Sequence, residues 1–66
     1  MQSIKCIIDG KEYSYEVWQN NETPYMIDKI VTQDTNLNIS PKDYINFEEV
    51  FDTIKEKVNS RGGTCK

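Results

Sequence analysis

The sequence predicts a small two-layer α+β domain: an N-terminal β-hairpin packed against a C-terminal amphipathic helix, with a middle segment that is either a short helix or a third strand. Three observations carry this. Asp9-Gly10 separates two alternating runs, a helical apolar stripe runs from Phe47 to Val58, and 66 residues leave room for a single core.

The hairpin comes first. Asp-Gly suits a type I′ turn, whose two central residues both need positive φ. A two-residue loop sets Ile8 opposite Lys11, Cys6 opposite Tyr13 and Ile4 opposite Tyr15. Ile4, Cys6 and Ile8 then share a face with Tyr13, Tyr15 and Val17, and a four-residue loop would keep that parity. The opposite face carries Ser3, Lys5, Ile7, Glu12, Ser14, Glu16 and Trp18, and is polar except at Ile7 and Trp18.

In the middle segment, Thr23 and Pro24 have the pattern of an N-cap and a first helical residue. Met26, Ile27, Ile30 and Val31 then recur at helical spacing. The β-branched residues of 25–32 also fit a third strand on the hairpin, and the helix is only slightly preferred. Residues 32–43, rich in Asp, Asn, Ser and Thr, read as a loop in which Leu37 and Ile39 alternate as a short extended piece.

The last segment is the clearest. Asn46 is an N-cap with Glu49 at the capping-box position, and Ile45 and Val50 stand where a hydrophobic staple would close the entry. Phe47, Val50, Phe51, Ile54 and Val58 form one stripe, and Gly62 can take the left-handed cap. The helix should run from about 47 to about 60. Residues 1–62 make the domain, and 63–66 are expected as a flexible tail.

Composition narrows function. Apolar residues are 36% and charged residues 29%, which fits a globular chain better than a disordered one. With no long apolar run, no membrane span is expected, and with no leader pattern the default is cytoplasmic. Cys6 and Cys65 are accordingly read as a half-buried strand cysteine and a tail thiol in reducing surroundings. A bond between them would close nearly the whole chain and add a few kcal/mol.

Histidine is absent, which removes the commonest general base and metal ligand. Two cysteines are too few for a structural zinc site within one chain. Neither catalysis, a metal nor a cofactor is expected. The seven lysines and Arg61 are scattered and the net charge is −3, so nucleic-acid binding is disfavoured.

Two sets of residues remain as candidates for partner binding. Ile7 and Trp18 are large apolar groups on a polar sheet face, and tryptophan is enriched at binding hot spots. Glu48, Asp52 and Glu56 stand at i, i+4 and i+8 on the exposed side of the last helix, a spacing near the phosphate repeat of nucleic acid. Against reading this as a DNA-mimicking inhibitor surface, acids at a helix N-terminus suit the macrodipole, and four acids and four bases cancel from residue 46 onward.

Ile, Lys and Asn make up 21 of 66 residues and alanine is missing, a bias typical of AT-rich coding genomes such as those of low-GC bacteria and their phages. The reading that follows is a small acidic, non-enzymatic protein-binding accessory factor that inhibits or modulates a larger host protein, encoded by a phage or mobile element. The alternative is a homo-oligomeric module that binds a small ligand or nucleic acid at its subunit interface. A homodimer with Trp18 at its interface is expected, because one helix cannot cover both faces of a hairpin.

Overall fold

The computed structural model describes residues 1–22 and 26–66. Strands β1 (Gln2–Ile8) and β2 (Lys11–Gln19) form the hairpin, in the expected register: Ile8 pairs with Lys11, Cys6 with Tyr13 and Ile4 with Tyr15. Asp9 and Gly10 have φ of 51° and 77°, so both turn residues adopt the left-handed geometry a two-residue loop requires.

Strand β3 (Ile27–Thr32) adds to the free edge of β2, which settles the middle segment as a strand and corrects the slight preference for a helix. The helical spacing has a specific origin. Trp18 pairs with Lys29 but the next residue, Gln19, pairs with Ile27, so Asp28 is an extra residue at a bulge. That extra residue shifts parity and brings Ile27 and Ile30, three apart, onto the same inward face. A spacing of three imitates one helical turn. The N-cap expected at Thr23 and Pro24 lies outside the described residues.

Residues 33–45 cross back beneath the sheet through a 3₁₀ turn at Pro41–Asp43. Ile27 N–H donates to the Tyr44 carbonyl at 3.4 Å, covering part of the outer edge of β3. Leu37 and Ile39 pack against the core without joining the sheet, so the extended piece expected there is not a strand.

Helix α1 (Phe47–Ser60) has the expected bounds. The Asn46 side chain accepts from Glu49 N–H at 3.0 Å, while the Glu49 carboxylate accepts from Ile45 N–H at 3.2 Å. The expected staple does not close, since Ile45 is 64% exposed. Val50, Ile54 and Val58 are fully buried against Ile4, Cys6, Ile8, Tyr15, Val17 and Ile27 of the sheet. Phe47 and Phe51 stack with centroids 6.3 Å apart at the margin of that core, so Phe51 flanks the core rather than filling it.

The C-terminus departs most from expectation. Gly62, at φ 79°, donates to the Asn59 carbonyl and Gly63 N–H to the Val58 carbonyl, a Schellman cap. Residues 64–65 then form β4 (Thr64–Cys65) beside β1, giving a four-stranded antiparallel sheet in the order β3-β2-β1-β4. The tail expected at 63–66 is therefore held in place, with Thr64 and Cys65 in a strand and Lys66 N–H bonded to the Lys5 carbonyl. Its entry depends on Gly63, where a Cβ would lie 2.6 Å from the Ile7 carbonyl oxygen and 2.7 Å from side-chain carbons of Ile8 and Val58.

A disulfide joins Cys6 to Cys65, correcting the expectation of two free thiols. Lys66 N–H donates to the Lys5 carbonyl, so the cysteines face each other at a non-hydrogen-bonded position, where cross-strand side chains come closest. Closing a loop over 59 positions constrains the unfolded chain by about 4 kcal/mol in the chain-entropy account. That is comparable to the roughly 3–5 kcal/mol that a core of this size supplies.

Candidate interaction surface

With the helix on the inner face of the sheet, no helix or strand among the described residues lies over the outer face. Strand alternation places Ser3, Lys5, Ile7, Glu12, Ser14, Glu16 and Trp18 there, joined by Lys29 and Val31 of β3. Trp18 is 37% exposed and Val31 44%. Lys29 Nζ lies 4.7 Å from the centre of the Trp18 ring, a cation–π contact across the strand pair. Val31 is the diagonal neighbour of Trp18 in the register, and Met1, exposed just before β1, ends at the same side of the sheet. An indole already held by Lys29 loses little further freedom on binding, which favours it as an anchor.

Beside this cluster, Lys5, Glu12, Ser14, Glu16, Val31, Thr32 and Gln33 line a groove of about 350 Å³. Lys5 and Glu12 approach to 3.8 Å across its floor, an exposed pair that contributes little to stability. The groove therefore offers both signs of charge next to an apolar rim.

Ile7 does not belong to this cluster. It pairs with Glu12 and Thr64, at the other end of the sheet from Trp18. Trp18 lies six positions along β2 from Glu12, about 20 Å of strand. Glu48, Asp52 and Glu56 are exposed on the side of α1 turned away from Val50, Ile54 and Val58. Among the described residues none of the three makes an ion pair. The five candidate residues thus fall on three separate regions, and the helix carboxylates and Trp18 occupy opposite sides of the molecule.

Inside the molecule is a polar cluster that the sequence reading missed. Asp34 is 4% exposed, and its carboxylate accepts from the Tyr15 hydroxyl at 2.8 Å, from Asn36 N–H at 3.0 Å and from both terminal nitrogens of Arg61. Thr32 Oγ1 accepts from Asp34 N–H, fixing the loop that carries the carboxylate. The Arg61 guanidinium holds the Asp34 carboxyl down at about 2, and Arg61 is itself pushed above its usual range chiefly by the same hydrogen bonds. Burial, then the Asp34 bond, pushes the Tyr15 phenol up to about 12. The cluster ties β2, the loop and the end of α1 together with every oxygen used, which suits anchoring rather than proton transfer.

A signal for it was present. Tyr15 on the inner face needed a partner for its hydroxyl, and Arg61 is the sole arginine of the chain. Lys29 and Val31 were missed because a helix at 25–32 would not have placed them beside Trp18. Among the described residues no three His, Cys, Asp or Glu side chains lie together so as to hold a metal ion, and no helix is long and apolar enough to cross a membrane. Compared with protein-family models, curated proteins and solved structures, the chain finds no significant match.

Proposed function

We propose that this chain is a non-enzymatic protein-binding factor that inhibits or modulates a larger protein through the Trp18 end of its outer sheet face. The observation that carries the reading is the exposed Trp18–Lys29–Val31 cluster on a face that no helix or strand among the described residues covers. Exposed tryptophan beside a mixed-charge groove supplies both parts of a typical interface, an aromatic anchor and a polar rim. The acidic helix face is the weaker candidate, because its carboxylates follow the preference of the helix macrodipole.

Affinity capture from a bacterial lysate tests this. One stoichiometric protein retained by the wild type and lost with Trp18→Ala is the expected result. Retention of nucleotide or oligonucleotide in place of a protein would overturn it in favour of a ligand-binding module.

A second reading, the homodimer, is favoured by one specific feature. Among the described residues β4 pairs with Cys6 and Ile7 of β1 and no strand lies beside the same edge at residues 2–4. Sedimentation of the wild type at high micromolar concentration decides this reading: a dimer supports it, and a monomer removes it.

A further inference from the structure

The disulfide divides its two sulfurs unequally. Cys6 is fully buried among the core side chains, whereas Cys65 lies half-exposed on a strand of two residues. Beyond the bond, β4 holds β1 through two residue pairings and the Lys66 N–H bond to Lys5. The Gly63 slot against Ile7, Ile8 and Val58 is filled only while that strand is in place. The covalent link therefore supplies a constraint comparable to the whole core of a domain this small.

We propose that the Cys6–Cys65 bond is a redox switch for the entire fold: closed, the domain is folded; opened by a dithiol reductant, it unfolds. A thiolate of the dithiol attacks Cys65 Sγ, the sulfur of the less buried cysteine. The S–S bond breaks, and its electron pair leaves on Cys6 Sγ, which takes up a proton. The second thiol of the reductant then displaces Cys65 as a thiol and becomes half of the reductant's own disulfide. Two electrons pass to the protein, and an oxidised dithiol runs the same steps backwards. The folded form then belongs to surroundings that keep disulfides closed, which replaces the cytoplasmic expectation. This inference is independent of the Trp18 surface.

Thermal melts followed by circular dichroism, with and without dithiothreitol, test the switch. Reduction should add two hydrogens by mass and abolish the folded baseline at 25 °C. Re-oxidation should restore it. The Cys6→Ala/Cys65→Ala variant should match the reduced wild type with or without reductant. A reduced wild type that keeps its folded baseline at 25 °C and melts cooperatively above it would overturn the proposal. So would two labelled thiols in the folded protein purified in air. Because the reduced and oxidised wild types share one sequence, their comparison holds whatever the double variant does.

Discussion

On the inner face of β1 and β2, Ile4, Cys6, Ile8, Tyr15 and Val17 are buried beneath the helix; one residue along each strand, Ile7 and Trp18 keep 41% and 37% of their surface in water. The backbone, the register and the turn are common to both faces. What differs is what lies across from them. The inner face meets Val50, Ile54 and Val58, while among the described residues the outer face meets its own cross-strand neighbours and no helix. Substitutions on the two faces should therefore separate stability from binding.

The largest effect is expected in the core. Ile54→Ala removes three carbons at a fully buried position and should cost about 3–4 kcal/mol in denaturant unfolding. A smaller loss would mean that the helix does not seat on the inner face. Next comes the polar anchor. Asp34→Ala strands the Tyr15 hydroxyl and the Arg61 charge together and should cost about 2–3 kcal/mol, whereas Tyr15→Phe should cost about 1 kcal/mol.

Acid offers a milder probe of the same cluster. Asp34 is held near 2 in the fold against 3.8 for an ordinary Asp carboxyl, chiefly by Arg61, so the unfolded chain takes up this proton first. The contribution is complete above about pH 4, falls between pH 4 and 2, and is lost below, amounting to about 2 kcal/mol. Asp34→Asn should flatten that part of the stability–pH curve. At the alkaline end the sign reverses: the raised Tyr15 phenol contributes fully below pH 10 and loses its share as pH rises through about 12.

The smallest change in stability is expected on the outer face. Trp18→Ala should shift unfolding by less than about 1 kcal/mol, mostly through the lost Lys29 contact. A loss as large as that of Ile54→Ala would make Trp18 a structural residue and erase the distinction between the faces.

How much of this was legible in the sequence follows the range of each interaction. The hairpin register and the helix bounds rest on local signals, Asp9-Gly10 and the Asn46 cap, and both were readable. β3 was misjudged because a bulge at Asp28 gave strand residues a helical spacing. The last strand and the disulfide depend on contacts nearly a whole chain length apart, and the Gly63 slot exists only once Ile7 and Val58 have met. Of the candidate surface, Trp18 was visible from alternation alone. Its partners Lys29 and Val31 were not, because they required the strand assignment.

The most direct test of the central claim, that the Trp18 end of the outer face is where a partner docks, sets two variants side by side in the same capture experiment. One is Trp18→Ala, and the other reverses Glu48, Asp52 and Glu56 to lysine on the opposite side of the molecule. Both should fold, as judged by circular dichroism. The account predicts that Trp18→Ala loses the captured protein while the charge-reversed variant keeps it, with only a modest response to added salt. Retention by Trp18→Ala together with loss by the charge-reversed variant would contradict it and move the interface to the helix.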